Sequence, residues 1–202
     1  PINTYSGYGA RSRDIVKALI KTGKYDINVL SQRWGNTRSG YLKDHNEDEL
    51  TSLVIPQLSF KPDVWIQISV PNEFQAVGKY SIGMTAGIET TLCDGSWIEG
   101  LNRMDLNLVS SEHAKNVFLG TKLDAFDSKT KQKIKELKVE KPVEVLFEGI
   151  DVQKYLTVNK QSDLFKSIST IKEEFCFLSV GHWMQGDFGE DRKNIGYTIK
   201  TF

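Results

Sequence analysis

The run PDVWIQISV, Pro62 to Val70, is bracketed by prolines and dense in β-branched and aromatic residues, which makes it the plainest strand in the chain. Two more apolar runs follow. YSIGMTAGIE (80–89) reads as a strand leading into a loop, and LNLVSS (106–111) as a buried strand. Helical patterns come after both: DGSWIEGLNRM with Ser96 as its N-cap, and EHAKNVFL, capped by Ser110–Ser111 and carrying His113. Upstream, Ile15, Val16, Leu19 and Ile20 share one helical face that ends at Gly23. The segment 26–32 (DINVLSQ) reads as a strand, and DELTSLVIPQL as a short helix stopped near Pro56. Downstream, PVEVLFEGID and EFCFLSVGHW read as strands, SDLFKSIST as a weak helix or linker, and EDRKNIGYTIKTF as a helix start. Strands that alternate with helices favour an α/β fold with a mostly parallel, Rossmann-like sheet. The glycine loop and βα pattern recur near the other end. This places a Rossmann-like domain over 1–150, a linker over 151–172 and the first βα unit of a second such domain over 173–202. The chain opens at Pro1 directly before a glycine loop that ought to follow a strand, and stops at Phe202 inside a helical pattern. It is therefore expected to be a piece of a longer protein, with the first strand of its first domain missing.

Charge narrows the function classes. Twenty-six Lys and Arg balance twenty-six Asp and Glu over 202 residues, which argues against a broad nucleic-acid footprint. The lysine-dense run DSKTKQKIKELKVEK also holds Asp127, Glu136 and Glu140, and reads as a solvated helix. The two cysteines, Cys93 and Cys176, sit in apolar neighbourhoods and are expected as buried free thiols. No run reaches the ~18 apolar residues of a membrane span, and no signal peptide is visible. The expected setting is cytoplasmic.

Two glycine loops carry most of the candidate chemistry. In SGYGARS (6–12), Gly7 and Gly9 free the backbone to approach a ligand, and a helix start beyond them would aim N–H groups at an anion. The match to a dinucleotide fingerprint is half complete. Ser12 stands where a third small residue belongs, and Gln32 and Arg33 stand where the acidic ribose partner would lie ~20 residues on. An arginine there suits a 2′-phosphate, so an NAD(P)-dependent sugar-modifying enzyme stays open as an alternative. In the second loop, VGHWMQGDFGEDRKNI, Gly181 turns the chain and Arg192 and Lys193 arrive at a helix start, where cations are unfavourable unless an anion binds. Glu73, Glu89 and the group Asp94, Trp97 and Asn102 follow strand ends, where open α/β sheets place ligands. His113 is a candidate general base at a strand–helix junction, while His45 reads as a surface residue. Three histidines and two cysteines show no metal spacing, and neither a nucleophile elbow nor a Gly-Lys-Ser phosphate loop is present.

Taken in order, these pieces resemble the GT-B glycosyltransferases, in particular the group-1, retaining, nucleotide-sugar-dependent type. The resemblance rests on SGYGARSRDIVKAL, PDVWIQISVPNEF with IGMTAGIET, the NLVSSEHAKNVF stretch, VLFEGID as the interdomain crossover, and FLSVGHW with EDRKNIGYTIKTF. It implies two Rossmann-like domains across a cleft, the first holding the acceptor and the second a nucleotide-sugar donor. Gly7 and Gly9 would line the cleft near the donor phosphates or the transferred sugar. Glu73, Glu89 and His113 would be catalytic candidates on the acceptor side, and Gly181, Arg192 and Lys193 would steady the pyrophosphate. The resemblance implies no metal and no cofactor beyond the donor substrate. The acceptor would be a glycan, a protein or a small molecule. The chain departs from the family in having His182–Trp183 where a loop arginine is usual, and in stopping before the paired-glutamate motif of the second domain. The piece is thus not expected to turn over alone. A non-catalytic relative reused as a binding or structural component, with an assembly partner, is the other reading.

Overall fold

A computed structural model of the protein describes residues 1–127, 129–150, 152, 163–181, 190–191 and 193–202. The chain divides into two compact units, Pro1–Ile150 and Asp151–Phe202.

The first unit is α/β. Its principal sheet has four strands, all parallel: β3 (Val64–Ile68), β4 (Tyr80–Thr85), β5 (Leu106–Val109) and β8 (Val143–Val145), side by side in that order. A 3₁₀ turn, Pro71–Glu73, connects β3 to β4, and α4 (Gly95–Arg103) connects β4 to β5. Between β5 and β8 come α5 (Glu112–Gly120) and an antiparallel hairpin of β6 (Leu123–Phe126) and β7 (Lys133–Leu137). The unit opens with α1 (Gly7–Thr22). A separate parallel pair, β1 (Val29–Leu30) with β2 (Val54–Ile55), is joined by two short helices, α2 (Tyr41–Asp44) and α3 (Asp48–Ser52).

The strand–helix alternation explains the parallel sheet, because each crossover returns the chain to start the next strand in the same direction. Phe74, Ile98, Leu101, Met104 and Phe118 are fully buried in the main core. A smaller cluster of Ile2, Leu42 and Leu50 packs with Val16 and Ile20 of α1. Arg103 fastens the turn after β3 by donating from Nε to the Phe74 carbonyl (2.7 Å) and from Nη2 to the Asn72 carbonyl (2.9 Å). Buried Asn107 donates from Nδ2 to the Leu101 carbonyl at 3.0 Å, tying β5 to the end of α4.

Several sequence expectations need correction. The helix after the first glycines begins at Gly7, not at Ser12, so both glycines lie in its first turn. The expected strand 26–32 shrinks to Val29–Leu30, since its partner has only Val54 and Ile55 before Pro56 removes the next ladder donor. The N-cap of α4 is Asp94, whose Oδ1 accepts from both the amide (2.8 Å) and the hydroxyl (2.6 Å) of Ser96. The lysine-dense run is a hairpin rather than a helix. Asp127 Oδ1 accepts from the amides of Lys129 (2.9 Å) and Thr130 (2.7 Å), closing a turn that also holds Lys131 at φ 58°. EFCFLSVGHW forms no strand over its described part, residues 174–181. No other strand among the described residues of the second unit offers it a ladder, and Phe175, Phe177, Leu178 and Val180 are exposed. Cys176 is exposed for the same reason, whereas Cys93 is buried as expected.

The second unit contains α6 (Asp163–Ile168) and α7 (Ile195–Thr201). Among the described residues no helix is long and apolar enough to cross a membrane.

Candidate functional site

In a parallel sheet the loops that lead from strands to helices gather at the carboxyl edge, where open α/β folds bind ligands. The candidate residues gather along that edge. Glu73 ends the 3₁₀ turn after β3, Glu89 lies in the loop after β4, and His113 is in the first turn of α5 after β5. Three successive parallel strands thus each present one candidate just past their carboxyl end. All three side chains are exposed. The main chain of Glu73 is held firmly, its carbonyl accepting from Gln67 Nε2 at 2.8 Å. His113 rides on a well-capped helix: Ser111 Oγ accepts from the Ala114 amide at 3.2 Å.

The first turn of α1 closes over the same edge. Tyr8 Oη lies 2.9 Å from Thr85 Oγ1, at the last residue of β4, and accepts from the Ala86 amide at 3.2 Å. Arg11 Nη2 donates to the Leu146 carbonyl, just past β8, at 3.1 Å. Ser110 donates to the Ala86 carbonyl at 2.8 Å, joining the ends of β4 and β5. The Trp34 ring lies over Tyr8 with centroids 4.4 Å apart and planes tilted by 32°. Burial pushes the Tyr8 phenol up from its ordinary pKa. The bonds to Thr85 and Ala86 oppose that shift, and the charges of Glu148 and Glu73 add to it. The Glu73 charge also acts on the Pro1 amine, whose pKa burial lowers.

The raised Tyr8 pKa fixes a sign. The folded state holds the phenol proton more tightly than the unfolded chain, so its contribution is complete below pH ~10 and lost as pH rises through the folded pKa. Stability is expected to decline above pH ~10, and to decline less steeply in Tyr8→Phe, as urea midpoints at successive pH values would record.

The two opening glycines have different roles. A Cβ on Gly9 would fall 2.4 Å from the Thr4 carbonyl oxygen and 2.7 Å from Thr4 Oγ1, so Gly9 makes room for the chain's own N-terminal turn. Gly7 is exposed, with nothing within 4 Å of an added Cβ. The N-cap Ser6 Oγ accepts from the Gly9 amide at 2.9 Å, and Ser12, buried, donates to the Tyr8 carbonyl at 2.8 Å. Ser12 in the fingerprint position is therefore a helix-internal contact. Arg13, also buried, donates to the carbonyls of Ile2 (2.7 Å) and Thr4 (2.9 Å) and covers the Tyr41 ring, which makes it a structural clamp.

Other candidates fall elsewhere. Trp97 packs on the main core, and Asn102 bridges to the Lys138 carbonyl and the Glu140 amide. His45 is exposed and stacks on Tyr41. In the second unit Gly181 is exposed, and Arg192 lies outside the described residues, as do His182 and Trp183. Lys193 is described. Its amide and that of Gly196 donate to the buried Asp191 carboxylate, at 3.0 and 3.1 Å, so that helix start already holds an anion from its own chain. Among the described residues no group of three or more His, Cys, Asp or Glu gathers as a metal site.

Sequence reasoning passed over Tyr8, Arg11 and Trp34. The aromatic between the two glycines was the available signal for Tyr8, since a large ring in the first turn of a helix needs a surface to cover. No family model matches the chain, and neither a curated protein nor a solved structure matches it.

Proposed function

We propose that the chain belongs to a glycosyltransferase, in which the first unit presents the acceptor to a sugar carried by a nucleoside diphosphate. The observation that carries this reading is the succession of Glu73, Glu89 and His113 past the carboxyl ends of β3, β4 and β5, beneath the first turn of α1. The order of motifs along the chain supports the same reading.

In this reading the exposed carboxylates and imidazole hold acceptor hydroxyls by hydrogen bonds, and Arg11 and the amides of the α1 first turn face the departing diphosphate. Negative charge grows on that leaving group as the sugar bond breaks, and fixed donors stabilise it more than they stabilise the ground state. In the second unit's sequence, Arg192 and Lys193 are the residues read as cations for the donor pyrophosphate.

Two measurements on the protein test the reading. Titration with UDP- and GDP-sugars is expected to show saturable binding, weakened about tenfold by Arg192→Ala with Lys193→Ala, in line with loss of charge-assisted bonds. A second titration, with candidate acceptor sugars, is expected to show binding that Glu73→Gln and His113→Ala weaken while donor affinity stays constant. Saturable NADP binding with no sugar-nucleotide binding would overturn the proposal in favour of a dehydrogenase-type site.

A further inference from the structure

The β6–β7 hairpin combines a lysine excess with exposed apolar side chains. Residues 122–141 contain seven lysines, no arginine and four acidic residues, in a protein of zero net charge. Two of the four acids are engaged locally: Asp124 pairs with Lys133 at 2.6 Å, and Asp127 is spent on the turn amides. Lys122, Lys129, Lys131, Lys135, Lys138 and Lys141 are all exposed.

Register places two apolar groups next to the turn that carries Lys129 and Lys131. Leu123 opposite Leu137 turns toward the main core. Strand alternation then puts Asp124, Glu136 and Phe126 on the outer face. A register shift follows Ala125, so that Lys133 rather than Ile134 pairs with Phe126, leaving Ile134 as the extra residue of a bulge. Phe126 is 57 % and Ile134 64 % exposed. Their placement at the far end of the hairpin, away from the core-packed leucines, leaves them nothing of this unit to cover.

We infer that the tip of the hairpin is a docking surface for an anionic lipid bilayer, with Phe126 and Ile134 entering the headgroup region and the exposed turn lysines Lys129 and Lys131 lying against acidic headgroups. Charge complementarity selects this partner. Lysine clusters gain from a negative surface potential through simple proximity, without the bidentate geometry that arginine gives to phosphate recognition. The apolar pair distinguishes a bilayer from a nucleic acid. A duplex backbone offers Phe126 and Ile134 nothing to enter, whereas interfacial binding gains from every apolar group inserted.

Vesicle co-sedimentation of the whole chain tests this. Phosphatidylcholine vesicles containing phosphatidylserine should pull the protein down. Pure phosphatidylcholine should not, and binding should fall as salt shortens the screening length from ~10 Å toward ~3 Å. Lys129→Glu with Lys131→Glu is expected to weaken binding by about tenfold or more. Phe126→Ser with Ile134→Ser should weaken it by about tenfold at unchanged charge. Thermal melts of both pairs should match the parent, because the altered side chains are exposed. Equal pelleting by both vesicle types would overturn the inference. So would serine variants that bind as well as the parent, or a preference for RNA competitor over anionic vesicles that the serine pair leaves intact.

Discussion

Gly100→Ala is expected to destabilise the protein by about 3 kcal/mol or more, although the same change in an ordinary helix interior stabilises by about 1 kcal/mol. The reason is a backbone-on-backbone contact. An ideal Cβ on Gly100 would fall 1.7 Å from the Pro71 carbonyl oxygen and 2.4 Å from its carbon. Neither atom belongs to a flexible side chain, so α4 and the 3₁₀ turn after β3 must separate. Arg103 holds that turn through the carbonyls of Asn72 and Phe74, and separation strains those bonds too. A fall in melting temperature on the order of 10 °C should follow for a domain of this size. Gly7→Ala is the paired control. Gly7 is helical and exposed with open space around it, so the propensity term acts alone and the midpoint should hold or rise. A Gly100→Ala protein as stable as the parent would show that the turn does not pack as described.

Phe74→Ala carries the second large effect, at about 3–5 kcal/mol. Phe74 is fully buried and its ring fills the space over Gly83, where a Cβ would meet ring carbons at 2.4 and 2.7 Å. Removing the ring leaves a cavity between β4 and the turn, in a core whose neighbours are fixed on helices and strands. Chemical denaturation should show a lower midpoint with an unchanged slope. Since Phe74 follows Glu73 directly, the loss of its anchor also loosens the display of that carboxylate. Phe74→Leu, which keeps most of the volume, should recover much of the stability.

The elements that the sequence announced best are those with two independent signals. Val64–Ile68 had β-branched composition and flanking prolines, and α5 had an apolar face and a serine cap. Both stand in the structure, and the parallel sheet follows from the alternation around them. The hairpin was hidden because Ile134 and Leu137 are spaced as on a helix face among lysines, while the signal for the turn, one aspartate bonding the amides that follow it, is weak on paper. EFCFLSVGHW had composition alone, and composition does not form a ladder without a partner. At the candidate site, Glu73, Glu89 and His113 were legible because strand ends mark the carboxyl edge. Tyr8 and Arg11 were not, because their contacts join positions far apart in sequence, to Thr85 and to Leu146. Gly9 looked like an opening for a ligand and instead accommodates Thr4, a distinction that only the folded N-terminal turn supplies.

The most direct measurement is an amide-resolved NMR titration of the chain with a panel of UDP- and GDP-sugars. The carboxyl-edge assignment predicts saturable shifts grouped at the amides of Gly7 and Tyr8 and, beside them, of Ala86 and Gly87, with the amino edge around Gly78 and Asp105 silent. Shifts confined to the amino edge, or no saturable shift with any sugar nucleotide, would contradict it.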